Sequence, residues 1–285
     1  MTDLSMDTLT QAVKARFDNT PDPRLQQVMS SLVEHLHAFA KDVQLTQDEW
    51  IKAIEFLTAT GQTCTDKRQE FILLSDVLGL SMLTVMLASN KPSGCTQDTV
   101  FGPFYVEGAP AYANGDDIAN GAAGSPCLVS GTVNSVDGQV IAGAKVEVWQ
   151  ADDEGEYDVQ KSGLDGAQGR GSVVSRTDGS FHFKTVTPSP YPIPTDGPVG
   201  QLLESSKRSA WRPAHLHFMI TAPGYEPLIT HVFRVGDEYL QSDPVFGVRD
   251  ALVVDWPIDE NGVTNLSFDF VLNAERSYTA QGVGA

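Results

Sequence analysis

Basic residues are scarce: 19 Lys and Arg stand against 37 Asp and Glu in 285 residues, a net charge of -18 at neutral pH. Such a chain is repelled by phosphate backbones and by anionic membrane surfaces, so neither nucleic acid nor a membrane is an expected partner. Cysteine is equally sparse. Cys64, Cys95 and Cys127 are too few, too scattered and too odd in number for a disulfide framework or a CxxC metal site, and read as reduced thiols. No apolar run approaches the roughly 20 residues of a membrane helix. The stretch from Met1 to Val13 has neither the basic start nor the apolar middle of a secretion signal, so a soluble, cytoplasmic protein is expected.

The residues that are present change character along the chain. Leu25, Val28, Met29, Leu32, Leu36, Phe39 and Val43 recur at three- and four-residue steps behind Pro23, which predicts a helix with one buried face. Thr46 and Glu49 have the form of a capping box ahead of a second stripe, Trp50, Ile51, Ile54 and Leu57, ending near Gly61. A third, richly apolar helix is predicted over 67–88, wide enough to be covered on several sides. Trp50, Trp149 and Trp256 read as core residues. After Cys127 the period drops to two, in short segments at 128–133, 145–150, 180–186, 215–221, 228–233, 251–254 and 265–271, separated by Gly, Pro, Asp and Asn. The expected architecture is α+β: a helical domain over 1–100, then a mostly antiparallel β-sandwich over 101–285, joined by a loop-like linker at 92–125.

Three segments carry chemistry. In Trp211-Arg212-Pro213-Ala214-His215-Leu216-His217, the histidines two apart on a strand share a face and stand about 6.6 Å apart, so both imidazoles can reach one metal. A pair of packed histidines has the same spacing, but Arg212 three residues before adds a fixed cation, which suits substrate chemistry better than structural zinc. Tyr191-Pro192-Ile193-Pro194-Thr195-Asp196-Gly197-Pro198 is stiffened by its prolines and fixes the direction of its tyrosine. The strand Val146-Glu147-Val148-Trp149-Gln150 runs into an acidic loop ending at Tyr157. From spacing alone, Tyr157 and Tyr191 read as pocket aromatics with hydrogen-bonded hydroxyls rather than as ligands.

Together these segments resemble the intradiol ring-cleavage dioxygenases. The matching pieces are Gly102-Pro103-Phe104-Tyr105, Gly131-Thr132-Val133, Gly143 to Asp152, Gly155-Glu156-Tyr157, Tyr191-Pro192-Ile193-Pro194 and Arg212-Pro213-Ala214-His215-Leu216-His217, in an order covering the chain from about Gly61 to Val271. The resemblance implies one non-haem Fe(III) per subunit held by Tyr157, Tyr191, His215 and His217, with Tyr191 the ligand that substrate displaces. It implies that Arg212 stabilises developing negative charge, and that the helical domain dimerises around an apolar channel able to hold lipid. Hard phenolate oxygens suit a hard ferric ion, whose charge lowers the phenol pKa.

Within that family, Thr230-His231-Val232-Phe233 and Asp243-Pro244-Val245-Phe246-Gly247-Val248 are similar to the hydroxyquinol-cleaving branch, as is Val100-Phe101-Gly102-Pro103-Phe104. Catechol-cleaving members carry Gln where His231 stands. The resemblance implies that benzene-1,2,4-triol and O2 give 3-hydroxy-cis,cis-muconate, the enol of maleylacetate. It also implies a catalytic or wall-forming His231 and a pocket lined by Leu73, Asp76, Val100, Phe101, Gly102, Phe104, Ile193, Pro194 and Val245. Asp76 is suited to accept a hydrogen bond from the hydroxyl that catechol lacks. A catechol 1,2-dioxygenase is the alternative enzyme. A metal-free prealbumin-like binding module shares the Gly131-Thr132-Val133 pattern but leaves both tyrosines and the His-x-His unexplained.

Overall fold

Asp22 starts the first long helix by accepting hydrogen bonds from the backbone N–H groups of Arg24 (2.8 Å) and Leu25 (3.3 Å), with Pro23 at the first position, where no amide hydrogen is missed. The computed structural model describes residues 4–65 and 68–275. The first three helices are α1 (Leu9–Lys14), α2 (Pro23–Asp42) and α3 (Gln47–Thr63). Thr46 and Glu49 form the expected capping box: the Thr46 amide donates to the Glu49 carboxylate at 2.9 Å and the Glu49 amide to the Thr46 hydroxyl at 3.3 Å.

The apolar stripe of α2 is present but uncovered within one chain. Leu25, Val28, Leu32, Leu36 and Phe39 are 43–56% exposed, and α2 buries no residue. Periodicity identifies the apolar side of a helix, not what covers it. Trp50 is likewise 52% exposed, whereas Trp149 and Trp256 are buried as expected.

Contacts divide the chain into a unit ending at Ala59 and a unit beginning at Thr60. The second opens with α4 (Glu70–Val77) and α5 (Leu80–Ala88) in place of the single helix expected over 67–88. Gly79, at φ +74, precedes α5 and the two axes bend by 78°. A residue without Cβ takes that left-handed turn without steric penalty, and one glycine inside an apolar run does not announce it. Lys67, the expected start of that helix, lies outside the described residues, as do residues 1–3. Leu78, Leu80, Leu83 and Leu87 are exposed, so the breadth of this apolar surface is not covered within the chain. No single helix among the described residues is long and apolar enough to cross a membrane.

The strands are β1 (Pro126–Ser135), β2 (Lys145–Gln150), β3 (Arg170–Val174), β4 (Ser180–Val186), β5 (Tyr191–Pro192), β6 (Trp211–Arg212), β7 (His215–Thr221), β8 (Leu228–Arg234), β9 (Val253–Val254), β10 (Thr264–Ser267) and β11 (Phe270–Leu272), with α6 (Pro198–Ser205) between β5 and β6. One sheet runs β3-β2-β7-β8-β9, and the other groups β4, β10 and β11 around β1. Val129, Val133, Phe181 and Phe270 from one sheet and Val148, Leu216, Phe218 and Val232 from the other form a shared buried core. The sheets are mixed rather than purely antiparallel, since β1 pairs in parallel with β10 and β11, and β8 with β9. Alternation marks a strand and its buried face but is silent about the direction of its neighbour.

The register of the first sheet places the site. Leu216, Phe218 and Ile220 of β7 point into the shared core, so His215 and His217 point to the opposite face. Directly across from His217 stand Trp149 on β2 and His231 on β8, and across from His215 stands Phe233.

Candidate metal centre

Each convergent side chain is held by its own local device. Tyr157 ends the loop after β2, which is folded around Asp152. One carboxylate oxygen of Asp152 accepts from the amides of Glu154 (3.0 Å) and Glu156 (3.1 Å), and the other pairs with Lys161. On the far side of Tyr157, Asp158 forms a forked ion pair with Arg170 on β3, at 2.9 Å from Nε and 2.5 Å from Nη2. Tyr191 lies on the short ribbon β5–β6 directly opposite Arg212. Gly155, at φ +80, lies against Tyr191, whose Cβ would be 2.9 Å from any Cβ added there. His215 is oriented by its Nδ1–H, which donates to the Pro213 carbonyl at 2.7 Å and leaves Nε2 as the free lone pair.

Four groups meet at one point. Tyr157 Oη lies 3.0 Å from His217 Nε2, 3.4 Å from Tyr191 Oη and 3.5 Å from His215 Nε2, and the two imidazole Nε2 atoms are 3.2 Å apart. Bonds of about 2.0–2.1 Å to one cation put adjacent ligand atoms about 2.9–3.4 Å apart, so this cluster has the size of a metal coordination polyhedron. All four residues are buried. Burial, joined by neighbouring Tyr191, pushes the Tyr157 phenol well above its ordinary pKa. Burial, reinforced by the Arg212 charge, pushes His215 well below the usual imidazole range. For His217 burial is again the main cause, followed by the neighbouring histidines. Neutral imidazole lone pairs suit a metal ion, and a cation bound beside the Tyr157 phenol would favour its ionised form against the cost of burial.

Arg212 stands beside this cluster, Nη1 3.2 Å from His215 Nε2 and 3.4 Å from Tyr191 Oη. Its Nε donates to Asp243 at 3.0 Å, and both partners are almost wholly buried. Burial opposes the guanidinium charge, but Asp243 and the two tyrosines more than offset it and hold the pKa above the ordinary arginine value. Asp243 also accepts from the Gly247 amide at 2.9 Å, which folds the turn carrying Val245.

His231 joins His215 and His217 in a buried histidine triad, each offering a ring nitrogen within 4.8 Å of the others. Its Nδ1 is hydrogen-bonded to the Thr99 hydroxyl, while Nε2 has no partner among the described residues. Of the expected pocket residues, Phe104 stacks on Tyr157 (centroids 4.4 Å) and meets Tyr191 edge-on (6.4 Å). Gly102 lies against His217: a Cβ there would stand 2.9 Å from its Cε1, at φ +77. Phe101 packs on Trp149, while Val100, Ile193 and Val245 are buried. Asp76 is buried on α4, not solvated. Burial raises its pKa, the Ser81 hydroxyl and the Arg212 charge lower it, and Asp243 raises it, which puts Asp76 in the field of the Arg212–Asp243 pair. Leu73 is half-buried and Pro194 exposed, and neither makes a ring or polar contact with the four convergent groups among the described residues.

Asp243, Asp152, Asp158 and Thr99 hold site residues but carry no sequence signal for doing so. Asp243 lies in a motif noted above, yet its partner is 31 residues away and nothing in the motif names it.

Comparison with known proteins matches the "Catechol dioxygenase N terminus" family model over residues 22–96 and the "Dioxygenase" model over residues 100–274. The chain is 62% identical over 273 residues to a 6-chlorohydroxyquinol 1,2-dioxygenase of Cupriavidus pinatubonensis, covering 96% of this chain and 99% of that one. It is 53% identical to a hydroxyquinol 1,2-dioxygenase of Nocardioides simplex, over 86% of this chain and 83% of the relative. The structure of a hydroxyquinol 1,2-dioxygenase from Pseudomonas putida superposes with a TM-score of 0.90 at 44% identity, covering 95% of this chain and 99% of the other.

Proposed function

The chain belongs to the intradiol ring-cleavage dioxygenases, and from that premise we propose that it opens benzene-1,2,4-triol between its vicinal hydroxyl-bearing carbons, adding both atoms of O2 to give 3-hydroxy-cis,cis-muconate, the enol of maleylacetate. The ligand set for one Fe(III) per subunit is Tyr157, Tyr191, His215 and His217, supported by the convergence of their oxygens and Nε2 atoms. When bound, the iron would take the diol as a chelating ligand and supply the electronic activation that makes the ring reactive toward O2.

The chain's own residues do the rest. Tyr191, whose Oη lies 3.4 Å from Arg212 Nη1, is the group placed to accept a diol proton. The Arg212 cation, fixed by Asp243, stabilises negative charge that develops on the ring and the incoming oxygen. Phe104, Val100, Ile193 and Val245 wall the ring in and exclude water. His231 presents a buried Nε2 beside the ligand histidines as a polar wall.

The observation that carries the triol over catechol is the buried carboxyl of Asp76, 7% exposed and in the field of Arg212. A polar group built into a closed site discriminates against a substrate that leaves it unpaired. Turnover of the triol and of catechol, compared as kcat/KM, tests this: the triol is expected to be favoured by at least about tenfold. A preference for catechol returns the chain to the alternative enzyme. The chlorinated triol belongs in the same assay, because a relative at 62% identity is a 6-chlorohydroxyquinol 1,2-dioxygenase.

The uncovered apolar stripe of α2 supports the remaining reading, that residues 1–100 form a dimerisation region around an apolar channel with room for lipid and residues 101–285 the catalytic region. Sedimentation returning a monomer at micromolar concentration excludes it.

A further inference from the structure

α4 carries Leu73 and Asp76 and is tied at both ends to the segment around α6. At its first residue, the buried Glu70 accepts from the Val199 amide at 3.2 Å in the first turn of α6. Glu70 also pairs with Arg68 at 2.8 Å, and Arg68 in turn with Asp196 at 2.9 Å. At the other end, the carbonyl of Val77 is one of those a helix C-terminus leaves without an intrahelical partner. It accepts from Arg208 Nη1 at 2.6 Å.

The same guanidinium reaches a second wall. Arg208 Nη2 donates to the Pro244 carbonyl at 3.3 Å, and the guanidinium carbon stands 5.3 Å from the centre of the Phe246 ring. The turn it touches carries Asp243, which holds Arg212, and the buried Val245. Phe246 itself sits at φ +57, a left-handed backbone that an aromatic residue adopts only when its surroundings hold it there. Arg208 forms no ion pair with a carboxylate among the described residues, and its fork is directed instead at two backbone carbonyls on two different elements.

We propose that Arg208 is a positioning residue that sets the width of the diol pocket: by binding the Val77 and Pro244 carbonyls together, it holds Asp76 on one wall at a fixed distance from Val245 and the Arg212–Asp243 pair on the other. It thereby sets the preference for the triol. This rests on the reading that Asp76 receives the third hydroxyl. The planar fork of arginine matters, because Nη1 and Nη2 reach one carbonyl each, whereas a lysine ammonium carries its three donors on one nitrogen at the end of a flexible stem and does not hold the two carbonyls in a fixed plane.

The test is equilibrium binding. Benzene-1,2,4-triol and, separately, catechol are titrated anaerobically into the iron-loaded wild type, Arg208→Ala and Arg208→Lys by calorimetry, with steady-state kinetics alongside. Arg208→Ala is expected to weaken the triol by about tenfold and catechol by less than about threefold, with KM carrying the loss and kcat nearly unchanged. Arg208→Lys falls between, and iron content stays at the wild-type level because Arg208 touches no ligand. Equal weakening of both diols, or none, overturns the proposal. Where Arg208→Ala does not fold, Arg208→Lys decides, and a wild-type ratio of the two dissociation constants there overturns it. A wild type that binds catechol more tightly contradicts the substrate reading instead and is visible before any variant is made. With that reading falls the claim that Arg208 sets a preference for the triol, whatever the variants do.

Discussion

Tyr157→Phe is expected to leave the chain folded, nearly free of iron and inactive. The substitution keeps the ring that stacks on Phe104 at 4.4 Å and removes only the oxygen that stands 3.0 Å from His217 Nε2 and 3.5 Å from His215 Nε2. The loss falls on the site rather than the core, and because even outer partners of metal ligands are worth about 10–100-fold in affinity, a ligand itself should cost at least about a hundredfold. His217→Ala should give the same result with some added loss of stability from the cavity left against Trp149, on which His217 stacks at 4.9 Å. Iron content after dialysis, oxygen uptake with the triol and circular dichroism are the three readouts. Either variant retaining full iron and full turnover removes that residue from the ligand set.

Arg212→Ala should separate chemistry from metal binding. No ligand atom is deleted, so iron is retained, while the cation beside Tyr191 and His215 is lost and turnover falls by about 10²–10³-fold. The complication is structural. Asp243 would remain buried with its carboxylate unpaired, and breaking one side of a buried ion pair costs about 3–5 kcal/mol. The double variant Arg212→Ala with Asp243→Asn removes that charge: it should recover thermal stability without recovering turnover. A single variant as active as wild type refutes the electrostatic role. A double variant that regains activity with stability shows that Arg212 serves the fold alone.

The centre was unevenly legible in the sequence, for physical reasons. The His-x-His spacing names its strand and face, because period two is written locally, and β7 (His215–Thr221) presents both imidazoles away from the shared core as that period requires. The tyrosines follow only from resemblance. Nothing in the spacing of Tyr157 and Tyr191 says that a folded loop and a two-residue ribbon bring their oxygens to 3.4 Å. The role of Asp243, and the one proposed for Arg208, were not legible, since the partners Arg212, Val77 and Pro244 lie far away along the chain. In the fold, α2, α3 and the strands β1, β2, β4, β7 and β8 follow from pattern, whereas β3 (Arg170–Val174) lies outside every expected segment and the one segment expected over 265–271 is two strands, β10 and β11. The break at Gly79 does not follow from pattern, nor do the parallel pairings of β1. The helix α6, not among the expected elements, has a signal after the fact in Pro198 at its first position ahead of Val199, Leu202 and Leu203.

The most direct measurement of the centre is the visible absorption spectrum of the purified protein, followed by anaerobic addition of benzene-1,2,4-triol. Two tyrosinates on ferric iron produce ligand-to-metal charge transfer, so a red protein is predicted, with absorption moving to longer wavelength as the triol chelates. A protein that stays colourless after ferric reconstitution has no tyrosinate–iron centre, and the convergence of Tyr157, Tyr191, His215 and His217 would then have to be explained without a metal.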